Sequence, residues 1–221
     1  MCILNTQTIR EMCLNSKPPL IESFEEKQLQ GASYDLRLGE EYYKFNADGK
    51  KATDMINKIE EYEEITIPPY DVCFVLMKEK VNMPNNLAGR ISLGTNLIKQ
   101  GVMLSVQPPV DPGYSGKIYG MLHNLSKKEV YITKEESVLT IEFIKLNDNT
   151  EKIYEGHMKN FKELKQLITV SFESGLSSFV NKTEEDLKIF RNKLYSFVLF
   201  YLAIVTVTVT ALSVLITVIK Y

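Results

Sequence analysis

Val110-Asp111-Pro112-Gly113-Tyr114-Ser115-Gly116 is the stretch whose reading decides the fold, and it runs into Lys117-Ile118-Tyr119-Gly120-Met121-Leu122-His123-Asn124. Asp-Pro-Gly is strong turn chemistry: proline fixes one backbone angle and glycine accepts angles other residues avoid. Gly113 and Gly116 bracket a tight turn where backbone can approach a ligand closely. The apolar run Ile118–Leu122 that follows has the length and content of a strand.

The same alternation of short apolar runs and turn residues extends in both directions. Tyr34–Leu38, Ile65–Ile67, Val72–Met77, Met103–Val106, Val130–Ile132 and Val138–Ile144 read as strands. Pro68-Pro69, Pro84-Asn85-Asn86 and Pro108-Pro109 separate them. Many short strands with such punctuation predict a mainly β sandwich, barrel or jelly roll. Ahead of it, Leu4 through Met12 has a helical pattern that Lys17-Pro18-Pro19 ends.

The 221 residues suffice for one ordinary domain plus an appendage. A net charge of −2 gives no bulk attraction for nucleic acid, so none is expected as a partner. Cys2, Cys13 and Cys73 are scattered, with no CxxC pair, which excludes a disulfide scaffold and a zinc knuckle. His123 and His157 are isolated, and no metal site is expected. Zinc-deaminase, phosphate-loop and GxSxG signatures are absent from the sequence.

The C-terminus has a different character. From Tyr195 to Ile219, 25 residues carry no charge. As a helix this run spans roughly 37 Å, more than the ~30 Å hydrocarbon core of a bilayer. Its length argues against a buried core helix or strands, although Val205–Thr210 alternates as a strand does. A single-pass membrane helix over 195–219 is expected, a C-terminal anchor in a lipid bilayer. Lys182, Lys188, Arg191 and Lys193 precede it and only Lys220 follows, which places the N-terminal part in the cytoplasm. Residues 151–194 are expected to form a helical stalk. Phe161, Leu164, Ile168 and Phe172 follow helical spacing, Gly175 interrupts it, and Thr183 with Asp186 reads as a capping box. A charged, flexible linker is the alternative.

Within the anchor, Ser196, Leu199, Ala203, Thr206, Thr210, Ser213 and Thr217 recur at steps of three and four. Six of these seven are small or hydroxylated, a face along which helices can approach. The other reading is that each hydroxyl bonds a carbonyl of its own helix.

Three segments stand out together: Gly31-Ala32-Ser33-Tyr34-Asp35-Leu36-Arg37-Leu38-Gly39, Gly89-Arg90-Ile91-Ser92-Leu93-Gly94-Thr95 followed by Gly101-Val102, and the Asp-Pro-Gly segment above. In order and spacing, residues 1–146 resemble the dCTP deaminase family, and more distantly the trimeric dUTPases that share its fold. The resemblance implies a dUTPase-like jelly-roll or β-barrel domain over 1–150, a homotrimer, and nucleotide sites at subunit boundaries. It places Tyr114 on the deoxyribose, Asp111 beside the sugar or the attacking water, and Arg90 and Ser92 on phosphate. Gly113 and Gly116 shape the turn. Magnesium would accompany a bound triphosphate.

The departures matter as much. The family reads Arg-Ser-Ser-Leu-Ala-Arg where this chain has Arg90-Ile91-Ser92-Leu93-Gly94-Thr95. Eight residues past the turn glycine the family has a proton-shuttling glutamate; here that position is Met121, which cannot exchange a proton. These changes favour a trimeric, membrane-anchored nucleotide sensor, for instance in antiviral defence, that signals to or permeabilises the membrane. An active deaminase or dUTP diphosphatase using Asp111 is the alternative; a purely structural anchor is the third reading.

Overall fold

A computed structural model describes residues 2–44, 56–60, 63–156, 159–168 and 175–219. The first compact unit is Met1–Ser174 and the second Gly175–Tyr221. The first unit begins with β1 (Cys2–Ile3), α1 (Thr6–Asn15), β2 (Ile21–Glu22), β3 (Tyr34–Lys44), β4 (Ile56–Lys58), β5 (Glu64–Ile67) and β6 (Val72–Asn82). It continues with β7 (Leu87–Leu93), α2 (Thr95–Lys99), β8 (Val102–Leu104), β9 (Ser115–Asn124), β10 (Val130–Thr133) and β11 (Ser137–Lys145). Among the described residues nine strands join in one sheet with the path β1-β11-β3-β6-β9-β8, while β10 pairs with β5. β7 lies antiparallel on β11, and the strand pairs described within the sheet are antiparallel throughout.

The strand β9 shows why the sequence folds this way. Gly116, Ile118, Gly120, Leu122 and Asn124 are buried, and the residues between them are half-buried. That period of two turns one row of side chains inward and the other outward. The inner row joins the main core with Leu36, Val75 and Leu139. The outer row, with Tyr119 and Met121, packs on a second cluster made by Tyr43, Phe74, Leu76, Phe161, Leu164 and Ile168.

That second cluster corrects the expected stalk. Phe161 and Leu164 are fully buried and Ile168 is 2% exposed, all within the first unit. The segment that carries them is a strap rather than a helix, with one 3-10 turn at Leu164–Gln166. Glu163 and Gln166 close that turn as a reciprocal cap. Spacings of three and four also suit a short turn laid on an apolar sheet face, and burial of three large side chains outweighs weak helical propensity. Phe161 C=O accepts from Lys117 N–H (2.8 Å), and Leu164 N–H donates to the Glu41 carboxylate (2.8 Å). Phe172 and His157 lie outside the described residues.

The second unit is α3 (Gly175–Ile219), 45 residues long. Gly175 therefore opens this helix instead of interrupting one. Thr183 lies inside it, its hydroxyl donating to Phe179 C=O four residues back (2.8 Å), so it caps nothing. The helix is long and apolar enough to cross a bilayer over Phe179–Ile216. Ser196, Thr206, Thr210 and Ser213 each donate to a carbonyl three or four residues earlier, at 2.8–3.0 Å. Ala203 shares their stretch of helix, and the side chain of Thr217 lies outside the described residues. The helix starts at Thr6 rather than Leu4 at the other end of the chain, because the Asn5 side chain accepts from Thr8 N–H (2.9 Å) and fixes the boundary.

Candidate functional site

The Asp-Pro-Gly turn is held by backbone on both sides. Gly113 N–H donates to Met83 C=O (3.0 Å), and Met83 N–H donates to Tyr114 C=O (2.7 Å). Gly113 sits at φ +80°, the left-handed region that glycine occupies without penalty. A Cβ there would lie 2.9 Å from Ile153 Cβ, and one at Gly116 would lie 2.7 Å from the Tyr114 hydroxyl and 3.0 Å from Phe161 N. Both glycines therefore make room for the chain's own residues, Ile153 and Phe161 of the strap and the Tyr114 hydroxyl.

Tyr114 is 9% exposed and its hydroxyl donates to Lys117 C=O (2.6 Å). Burial pushes its phenol well above the ordinary tyrosine value. Tyr154 of the strap stands edge-on to it at 5.4 Å. Together with Ile91, Gln107, Asp111 and Tyr119 they line a cleft of about 100 Å³, in which Asp111 is the one charged side chain. Paired hydrogen bonds between Gly89 and Val110 (2.8 Å each) tie the cleft's loop to β7.

Arg90 and Ser92 are placed differently. Along β7 the side chains alternate, so Ile91 faces the cleft while Arg90 and Ser92 are exposed on the other side. Within one chain, phosphate-type and sugar-type groups are not brought together. Arg90 lies directly opposite Glu142 of β11 and donates to one carboxylate oxygen through two nitrogens (2.7 and 2.5 Å). Ser92 is opposite Thr140 and has a long contact to its carbonyl (3.5 Å). Thr140 in turn donates to the Asp35 carboxylate (2.7 Å).

The three positions that depart from the resembled motif are scattered as well. Ile91 is in the cleft, Thr95 is exposed at the start of α2, and Met121 is opposite Phe74 on the outer row of β9. Tyr154 and Tyr119 were not legible as site residues, and Glu142 only as a carboxylate of the same domain that the sequence does not place. Its place is readable only from the β7–β11 register, which joins residues 52 apart in sequence.

Behind the first motif lies a buried ion pair. Arg37 and Glu79 are both 0% exposed. Arg37 Nε donates to Glu79 (2.6 Å), its backbone N–H donates to the same carboxylate (2.8 Å), and another nitrogen reaches Ser23 C=O (2.9 Å). Glu25 and Glu135 (3.3 Å) complete the guanidinium's shell. Burial pushes the Glu79 carboxyl up, against the pull of Arg37. The same burial lowers Arg37, but its bonds to Glu79 and Glu25 outweigh that and hold it charged.

A mainly β domain with three glycine-bearing motifs at its loops and strand ends defines the class of the dUTPase and dCTP deaminase fold. Residues 3–146 match the dCTP deaminase-like family, and the chain belongs to that family. It is 32% identical to the dCTP deaminase of Pyrococcus abyssi over 148 residues, which is 67% of this chain and 90% of that protein. It is 28% identical over 179 residues to the dUMP-forming dCTP deaminase of Methanobrevibacter smithii, covering 76% of this chain and 92% of the other. The solved 2′-deoxycytidine 5′-triphosphate deaminase from Agrobacterium tumefaciens superposes with a TM-score of 0.52 at 18% identity. That match covers 64% of this chain and 48% of that one, and shows the fold.

Proposed function

We propose that this chain is a membrane-anchored nucleotide-binding protein on a dCTP deaminase fold that no longer deaminates. Met121 carries the reading. The position of the resembled glutamate holds a thioether packed on an apolar cluster, where no proton can be exchanged. The binding half of the proposal includes a homotrimer, in which Arg90 and Ser92 of one copy would meet the Asp111 and Tyr114 cleft of the next. No group of three or more His, Cys, Asp or Glu able to hold a metal occurs among the described residues, so magnesium would arrive held by the triphosphate.

Incubating the full chain with each deoxynucleoside triphosphate, while following products and binding heat, tests this. The expected result is binding without conversion of dCTP to dUTP, since loss of such an acid-base group typically costs about 10²–10⁴ in rate. Turnover that vanishes in Asp111→Asn would establish the hydrolytic alternative, which the position of Asp111 in the cleft favours.

Arg90 gives a second test. A phosphate must displace Glu142 from it. Arg90→Ala should weaken triphosphate binding about ten- to a hundredfold by calorimetry. Glu142→Gln should strengthen it by up to about fivefold, because an exposed ion pair is worth ~0.2–1 kcal/mol. Tightening by Arg90→Ala would remove the phosphate role.

The helix seam supplies the membrane half. The hydroxyls of Ser196, Thr206, Thr210 and Ser213, satisfied by their own carbonyls, leave a small, smooth face for three helices to meet. Thr206→Leu, Thr210→Leu and Ser213→Leu together should reduce crosslinked trimer in bilayers or block ion leakage. Large apolar exchanges at Val205, Val209 and Leu212 should be mild, and equal effects would refute the seam.

A further inference from the structure

The outer face of β9 carries one more polar arrangement, beside the apolar position of Met121. β8 runs antiparallel to β9, with Met103 opposite His123 and Leu104 opposite Leu122. Ser105 continues the ladder by donating its N–H to Met121 C=O (2.9 Å). Strand alternation then puts Met103, Ser105, Met121 and His123 on one face. There the Ser105 Oγ lies 2.7 Å from His123 Nε2.

We propose that Ser105 and His123 form a nucleophile–base pair that can open a carboxylic ester. The pair has the geometry a serine nucleophile needs: its hydroxyl is within hydrogen-bond reach of an imidazole nitrogen. Val72 and Met103 flank the ring on the neighbouring strands, and no ion pair engages it among the described residues. Burial lowers its pKa, which keeps the imidazole neutral and able to accept a proton near pH 7. With the ring proton on Nδ1, the Ser105 hydroxyl donates to Nε2.

The surroundings suit an ester with an apolar acyl chain. Val106 is 98% exposed and Met103 49% exposed beside the serine. The backbone N–H of Val106, next after Ser105, has no hydrogen-bond partner among the described residues and would be the nearest free donor in sequence for a developing oxyanion. In the step, Ser105 Oγ bonds to the carbonyl carbon, and its proton passes to His123 Nε2. The ester C–O bond then breaks, and that proton goes to the departing alkoxide. Water repeats the sequence on the acyl-serine and releases the carboxylic acid.

The full chain in detergent is treated with a fluorophosphonate probe and the adduct is mapped by mass spectrometry. The expected result is one adduct, on Ser105, with Ser126 unmodified as the control serine whose hydroxyl is held by Asn124 (2.8 Å). His123→Gln and His123→Asn, each checked for an unchanged melting temperature, should slow labelling about a hundredfold or more. Hydrolysis of p-nitrophenyl butyrate should fall in parallel and disappear in Ser105→Ala. A folded chain without the Ser105 adduct, or labelling that either His123 variant leaves unchanged, would overturn the proposal. Probe labelling and ester hydrolysis are measured without nucleotide, so their failure and the failure of nucleotide binding are read separately.

Discussion

Arg37→Met should cost the β domain about 3–5 kcal/mol, the range found when one partner of a buried ion pair is removed. The reason is what remains behind. Glu79 is 0% exposed and would keep a backbone N–H from residue 37 but lose the one counter-charge in direct contact among the described residues. Glu25 would lose the same partner, though it retains Lys27 at 2.9 Å. Urea unfolding of a chain ended at Ser174 measures the effect. The double variant Arg37→Met with Glu79→Leu should recover much of the loss, because removing both charges leaves none stranded. If the double variant is no better than Arg37→Met alone, the ion pair is not what makes that variant costly.

Ending the chain at residue 150, where the sequence places the domain boundary, should be at least as damaging. It removes Phe161, Leu164 and Ile168 from the face made by Tyr43, Val72, Phe74 and Leu76. Truncating one large buried side chain to alanine already costs about 2–5 kcal/mol, against a total of about 5–15 kcal/mol for a domain. The shortened chain should lose cooperative unfolding and bind a hydrophobic dye, while the chain ended at Ser174 should stay monodisperse. Equal stability of the two would show that the strap is only laid on the surface.

The sequence exposes what short-range chemistry controls. Asp111-Pro112-Gly113 marks its own turn, and the apolar runs mark β6, β9 and β11 because each is a strand whose pattern is set by its own residues. Leu87–Leu93 is a strand too, yet only its motif stood out. Its Arg90 and Ser92 alternate outward while Gly89 and Leu93 lack the usual strand-forming weight. The strap fails for another reason: Phe161, Leu164 and Ile168 have the spacing of a helix, and only the apolar face waiting on β6 and β9 decides otherwise. Arg37 lies in a motif that is plain in the sequence, but its burial depends on Glu79, 42 residues away. The split of Arg90 from the Asp111 cleft follows from strand alternation and could have been read once residues 87–93 were seen as a strand.

If the chain binds nucleotide and its C-terminal helix lies in a bilayer, as proposed, the strap's contacts with the cleft carry a consequence for both. Tyr154 touches Tyr114, Phe161 touches Tyr119 at 5.7 Å, and the same backbone resumes as the apolar helix at Gly175. Should an occupied cleft shift that strap and with it the helix's association, linkage runs both ways with one coefficient. Lipid composition or helix crosslinking would then change nucleotide affinity by the same factor by which nucleotide changes helix association, tenfold for each ~1.4 kcal/mol of coupling.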